Sequence, residues 1–232
     1  MKPYTPTPEI AKGLHEGRIT MLCEPLIPQP PEGHETPKII DGVLSFYDHV
    51  NFNIFRTIPP FKAGDLIFVQ EEYALTNLFN AVAVASDIND EWSSHQVDKH
   101  LIWYKADGEQ LLPEGLTSGE FLSARGDWRL ADSMPKWASR IHLQVADEQP
   151  IIKRLWDLTE DEAVACGVFK TKQWALSRQD FIEWFTVDEK RMWEHAWESF
   201  MDGIWQPRFA GTEYDYANNP WVALTKVRKD KV

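Results

Sequence analysis

Ile141-His-Leu-Gln-Val145 alternates apolar and polar residues, which puts Ile141, Leu143 and Val145 on one face of a strand. The segment that feeds it constrains the chain further. Trp128-Arg-Leu-Ala-Asp-Ser-Met-Pro-Lys-Trp-Ala-Ser-Arg140 packs two tryptophans, two arginines, a lysine and a proline turn into thirteen residues. An aromatic, basic loop therefore runs directly into a core strand and places indole and guanidinium groups at the rim of a sheet. A chain with 36 acidic against 24 basic residues, and a net charge of -12, has no general reason to build such a loop.

The other elements follow from local signals. Thr7-Pro8-Glu9 opens a short helix, with Thr7 as N-cap and Pro8 at the first helical position. Ile10, Ala11 and Leu14 give it an apolar stripe, and Gly17 stops it. Arg18 to Cys23 reads as a strand with Arg18, Thr20 and Leu22 on one face and Ile19, Met21 and Cys23 on the other. The proline-rich stretch from Pro25 to Pro37 reads as an extended connection outside regular structure. Val43 to Phe55 holds one or two strands. Leu66 to Glu71 is a strand with Ile67, Val69 and Glu71 pointing the same way. Leu101 to Tyr104 is a strand ending in a turn, and Asp87–Asp98 and Leu111–Gly126 read as loops. Thr159 with Glu162 forms a capping box. Arg178 to Trp205 is expected as the longest helix, with Trp193, Trp197 and Met201 as a packing stripe. Pro220 to Val227 is a closing strand. Strands mostly follow one another without regular alternation with helices, which predicts an α+β fold on a mixed or antiparallel barrel-like sheet.

Composition removes several classes of function. The 232 residues fit one domain with an insertion at about 75–127 and a helical segment at about 155–205. The acidic balance argues against broad duplex binding, which needs a basic face, and leaves room for a local basic pocket. Two distant cysteines, Cys23 and Cys166, lack metal spacing and suit a reduced cytoplasmic setting. No apolar run reaches membrane-spanning length, and the N-terminus lacks a signal-peptide core. No metal motif, phosphate loop or nucleophile elbow occurs, so no metal and no cofactor are implied.

In order along the chain, Gly17-Arg-Ile-Thr20, Gly64-Asp-Leu-Ile-Phe-Val-Gln-Glu71, Tyr104-Lys-Ala-Asp107, Met134-Pro-Lys-Trp-Ala-Ser-Arg-Ile141, Leu158-Thr-Glu-Asp-Glu-Ala163 and Asn218-Asn-Pro-Trp-Val222 resemble the ASCH-domain family. The chain is most similar to the phage proteins labelled morphogenetic that carry an ASCH-like domain. The resemblance implies a PUA-like β-barrel with flanking helices, and a place in the cytoplasm of a bacterial host. The family's first motif, Gly-Arg-Lys-Thr-x-Thr-Arg-Arg, is altered here. Ile19 replaces its lysine, Leu22 its second threonine, and Cys23 and Glu24 its two arginines. The lysine, that threonine and a glutamate form a catalytic set in the family's acetylcytidine amidohydrolases. Glu71 alone remains of the set, with Gln70 where an arginine commonly precedes it.

Glu71 is therefore the candidate catalytic residue, as general base or ligand-binding carboxylate; the alternative is a buried carboxylate paired with Arg18, Arg140 or a backbone amide. Arg18, Thr20, Trp128, Lys136, Trp137 and Arg140 are the candidate ligand- or nucleic-acid-binding residues. Arg140 beside Trp137 suits an anion with an indole stacking platform, or else a structural Arg–Glu pair. The expected function is binding of a nucleotide, modified base or short single-stranded nucleic acid in a barrel cleft, without the family's hydrolysis. Two alternatives stay open: an amidohydrolase acting on an acylated nucleoside, and an acidic protein that docks on a host or phage factor. Leu22 is expected at the cleft wall and Ile19 in the core.

Overall fold

The computed structural model describes residues 1–40, 43–75, 102–107, 127–172, 182–185 and 196–230. In chain order the strands are β1 (Lys2–Tyr4), β2 (Met21–Pro25), β3 (His34–Ile40), β4 (Val43–Asp48), β5 (Ile54–Thr57), β6 (Leu66–Val69), β7 (Tyr73–Leu75), β8 (Ile102–Tyr104), β9 (His142–Val145), β10 (Ile151–Arg154), β11 (Phe169–Lys172), β12 (Ile182–Phe185) and β13 (Trp221–Lys229). The helices are α1 (Pro8–Glu16), α2 (Glu160–Ala165), α3 (Ala196–Phe200) and α4 (Gln206–Phe209). The fold is mixed α+β. One sheet takes the order β1-β6-β9-β13-β10, with β2 also paired to β13. Two compact units divide the chain: Met1–Lys2, Gly13–Ile67 and His142–Val232 form one, and Pro3–Lys12 with Phe68–Ile141 form the other.

The first unit is organised by β13. Its Trp221–Thr225 run is buried throughout, so the strand reads as apolar without alternation. Both β9 and β10 run antiparallel to it, β9 along Val227–Lys229 and β10 along Trp221–Leu224, while β2 pairs with Val222–Lys226. Trp221 and Ala223 join Leu26, Leu44 and Phe46 in a core, with the Phe46 and Trp221 rings edge-on at 4.9 Å. Leu44 and Phe46 come from β4, the middle strand of the β3-β4-β5 sheet. β3 occupies part of the stretch expected to be irregular. Its ladder with β4 shifts register between Glu35 and Lys38, so Pro37 sits in a bulge, where its missing N–H costs no ladder bond.

Ile19 is the tightest wedge in this unit. A Cβ built on Gly13 would lie 2.7 Å from its Cδ1, and one on Gly167 would lie 2.9 Å away. Gly13 is helical, yet only glycine leaves room for Ile19. Gly167 also takes φ +121, which an L side chain rarely adopts. β2 begins at Met21, three residues later than the expected strand. Thr20 instead donates its N–H to Ala165 O at 3.0 Å. Leu22 is 2% exposed and therefore core; both faces of β2 are covered, which alternation alone does not reveal.

The expected long helix from Arg178 is corrected as well. Ile182–Phe185 is a strand, antiparallel to Phe169–Lys172, in keeping with their β-branched and aromatic content. The next described element is α3, and Met201–Trp205 then winds as a π-turn, which breaks the 3.6-residue period from Trp197 onward. Met201 is buried while Trp197 is 42% exposed. Trp193, the Asp87–Asp98 and Leu111–Gly126 loops and most of the 75–127 insertion lie outside the described residues. The Thr159 capping box is present, with the Thr159 hydroxyl accepting from Glu162 N and the Glu162 carboxylate accepting from Thr159 N.

In the second unit β7 and β8 form an antiparallel pair. Tyr73, Met134 and Ala138 make its core, with Leu75, Ile102 and Tyr104 packed against them. A 3-10 turn follows β8 at Lys105–Asp107, and two more shape the aromatic loop at Ala131–Ser133 and Lys136–Ala138.

Candidate functional site

β6 ends at Val69, short of the expected Glu71, and Glu71 follows two residues beyond it, buried within the second unit. Val69 is fully buried, and two residues on Glu71 is 3% exposed. Its N–H points at the Met134 sulfur at 3.4 Å. Gln70 takes the other direction and ties down the loop: its Nε2 donates to Asp132 O at 3.1 Å and Met134 O at 3.0 Å, while its Oε1 accepts from Thr5 at 2.9 Å. Ser139 Oγ, also buried, donates to Val69 O at 2.7 Å. These bonds fix the residue that follows, Arg140, beside Glu71.

The Arg140 guanidinium meets two carboxylates. Its Nε donates to Glu71 Oε2 at 3.1 Å and its Nη2 to Glu71 Oε1 at 2.9 Å. Nη1 donates to Asp107 Oδ2 at 2.5 Å, and Nη2 to Asp107 Oδ1 at 2.7 Å. Both pairs are bidentate, the strong geometry for arginine and carboxylate. The guanidinium also stacks on Tyr104, 4.0 Å from the ring centroid. Tyr104 donates its hydroxyl to Ala138 O at 2.7 Å. Burial first, then the negative Glu71 and Asp107, push the Tyr104 phenol up to about 12 against the opposing pull of Arg140. Arg140 is held more firmly protonated by the two carboxylates than an ordinary arginine, although burial opposes this.

This arrangement restricts the chemistry. Four of the five N–H donors of Arg140 are engaged, so no second fork remains for a phosphate or carboxylate ligand. Both Glu71 oxygens already accept from the guanidinium, so Glu71 is not presented as a free general base. The cluster of two carboxylates and one cation carries a residual negative charge. Glu71 also lines a cavity of about 110 Å³ with Pro6, Pro8, Ala11, Glu72 and Lys105, in which Lys105 pairs with Glu72. That volume is well below the roughly 300 Å³ at which ligand pockets usually begin.

The aromatic loop presents its side chains differently. Trp137 is 69% exposed, and Lys136 beside it is exposed. Their 3-10 turn is anchored by buried Ala138, whose N–H donates to Pro135 O at 2.9 Å and whose carbonyl takes the Tyr104 hydroxyl. Trp128 is half-buried, next to Arg129, which pairs with Tyr73 through two backbone bonds and lies over its ring at 5.9 Å. Leu130 is 69% exposed.

The structure thus brings Glu71 and Arg140 together and sets Trp128, Lys136 and Trp137 on the loop that Arg140 closes. Arg18 and Thr20 belong to the other unit, where both are exposed and the Arg18 Nε donates to Glu16 at 2.6 Å. Glu24 accepts from Arg208 Nη2 at 2.7 and 2.8 Å. Sequence reasoning did not assign Tyr104 or Asp107 a role. Their run, Tyr104-Lys-Ala-Asp107, is one of those that carry the ASCH resemblance, and that was the available signal. No family model, no curated protein and no solved structure matches the chain.

Proposed function

We propose that the chain is an ASCH-like, phage-type protein with a PUA-like fold that binds a nucleoside, nucleotide or short single-stranded nucleic acid by stacking on Trp137, without amidohydrolase chemistry. One observation carries this reading: a large indole stands 69% exposed on a hydrogen-bonded 3-10 turn, beside a lysine, in a chain of net charge -12. An indole this exposed is a stacking platform for any base, and a neighbouring ammonium suits the attached phosphate. The Glu71–Arg140–Asp107 cluster serves this surface by holding the loop, and its occupied carboxylate speaks against hydrolysis. The acidic bulk restricts the ligand to one or a few nucleotides, since each further phosphate meets a repelling field.

Titration with nucleosides and short oligonucleotides at two salt concentrations, read by tryptophan fluorescence, tests it. Base stacking is worth ~1–3 kcal/mol per base, so Trp137→Ala should weaken binding roughly 5- to 150-fold. Acetylcytidine should survive incubation with the wild type. No quenching at low salt, or equal affinity in wild type and Trp137→Ala, would overturn the binding reading; release of acetate that disappears in Glu71→Gln would overturn the exclusion of hydrolysis.

A further inference from the structure

The first unit holds a cavity of about 490 Å³, lined by Gln29, Pro30, Glu32, Arg154, Glu213 and the Asn218–Pro220 turn. This is within the ordinary size of a small-molecule site. The cavity is built from well-fixed parts. Gln29 closes one side with its amide fully used: Nε2 donates to Leu26 O at 2.7 Å and Trp221 O at 3.0 Å, and Oε1 accepts from Trp221 N at 2.8 Å. Asn219 holds a left-handed backbone, φ +45, and its Oδ1 accepts from Trp156 N at 2.9 Å. Pro220 follows and is buried.

Arg154 is the unusual residue. It is half-buried, stacked 4.5 Å over the Trp221 ring, and its Nη1 donates to Asn219 O at 3.1 Å. Among the described residues it makes no ion pair and no other hydrogen bond. Its Nε and Nη2 donors are therefore unspent. Burial pulls its pKa down, and the distant carboxylates of Glu35 and Asp157 offset this only in part. Among the described residues, other partly buried cations are paired: Arg140 with Glu71 and Asp107, Arg208 with Glu24, Lys153 with Glu162. In a chain with twelve more acids than bases, a half-buried guanidinium without a carboxylate, held flat on an indole in a cavity wall, is a site for an external anion.

The rim limits which anion. Glu32 and Glu213 line the same cavity and are exposed. Two carboxylates repel a phosphate dianion but attract cationic groups. With Arg154 they sum to one negative charge, and a ligand that balances the site carries one carboxylate and two cationic groups. We propose that this cavity binds a basic α-amino acid, its carboxylate on Arg154 and its two cationic groups toward Glu32 and Glu213. The site is independent of the Trp137 surface.

Isothermal titration of the full chain tests it with L-arginine, L-alanine, agmatine, which lacks the carboxylate, and guanosine monophosphate. L-arginine should bind, and alanine and agmatine about tenfold more weakly or worse, the cost of losing a charge-assisted contact. Arg154→Gln should abolish arginine binding. Because that change also removes the stack on Trp221, Glu32→Gln with Glu213→Gln provides a second arm on exposed residues: it should narrow the preference for arginine over alanine and leave thermal stability in place. Absence of heat with millimolar arginine, arginine binding undiminished in Arg154→Gln, agmatine binding as well as arginine, or preferential binding of the nucleotide would each overturn the proposal.

Discussion

Replacing Arg140 by alanine tests whether the three-residue ion cluster holds the second unit together. The substitution removes four N–H···O contacts and a stack on Tyr104. The two carboxylates left behind differ in fate. The Asp107 side chain is 24% exposed and can be rehydrated, whereas the Glu71 side chain is 1% exposed and is stranded. Breaking a buried pair by removing one partner costs ~3–5 kcal/mol, most of it the uncompensated charge. Losing the cation–π stack adds ~0.5–2 kcal/mol, partly counted already. We therefore expect a loss of about 3–5 kcal/mol for Arg140→Ala, but only about 1–2 kcal/mol for Glu71→Gln, where the amide oxygen still accepts from Arg140 and Asp107 still balances the charge. Urea denaturation followed by tryptophan fluorescence measures both, and the midpoint should fall by at least ~1 M in the arginine variant for a slope of ~1–3 kcal/mol/M. The double variant Arg140→Ala with Glu71→Gln should be more stable than Arg140→Ala alone, because the stranded charge is gone. A loss below 1 kcal/mol for Arg140→Ala, or a double variant no better than the single, would show that the cluster behaves as a solvated surface pair and that the loop is held by other contacts.

Three further outcomes follow from separate features. Gly13→Ala should destabilise by ~1–3 kcal/mol even though alanine is the better helix former, because its Cβ would meet Ile19 Cδ1 at 2.7 Å, and Ile19→Val should recover part of the loss; a more stable Gly13→Ala protein in thermal melts would refute the wedge. Tyr104, with its pKa raised from 10.0 to about 12, contributes stability that is complete below pH 10 and is lost as pH rises toward 12, because the unfolded chain ionises first; Tyr104→Phe should cost ~1 kcal/mol at neutral pH for the bond to Ala138 O and should flatten the alkaline decline, and an unchanged alkaline limb in denaturation curves would exclude this assignment. Glu162 feels burial first, which raises its pKa, but the Lys153 ammonium and the Thr159 donors prevail and hold the carboxyl below the ordinary glutamate value. Its contribution is therefore present above that value and lost as pH falls through the depressed one, so Glu162→Gln should be less stable than wild type at pH 7 and closer to it in acid; a gap constant with pH would contradict the pairing.

Much of the fold was legible because local rules sufficed for it. The Thr159 capping box, the helix opened by Thr7, the alternation at Ile141–Val145 and the closing strand each depend on residues within one or two turns of one another. The failures share a cause. Leu22 and Ile19 alternate in the sequence, which predicts Leu22 at a cleft wall and Ile19 in the core; both are core, Leu22 because β2 is covered on both sides and Ile19 because it wedges against Gly13 and Gly167 ahead of that strand. The stretch from Arg178 has enough apolar residues for a helix, yet a ladder with Phe169–Lys172 captures Ile182–Phe185, and a partner ten or more residues away is invisible to a helical period. Pro37 reads locally as a breaker, and only the bulge opposite β4 makes it compatible with a strand.

The site follows the same division between faces and partners. The alternation of Ile67, Val69 and Glu71 predicts that a carboxylate turns inward, and a buried carboxylate must be paired or hydrogen-bonded, which leaves Arg18, Arg140 or a backbone amide as the expected partner. Which of these it is depends on register across 69 residues for Arg140 and Glu71, and across 33 residues for Arg140 and Asp107. No short pattern encodes either distance. Asp107 in particular sits on a 3-10 turn after an ordinary strand, and apart from the Tyr104–Asp107 run nothing in the sequence marks it. The consequence reaches the proposed activity. With Asp107 and Glu71 on a single guanidinium, Arg140 has no free fork left for an anion, so the proposed binding rests on exposed groups of the same loop. Trp137, 69% exposed, and Lys136 beside it are the groups on that loop that the proposed binding uses.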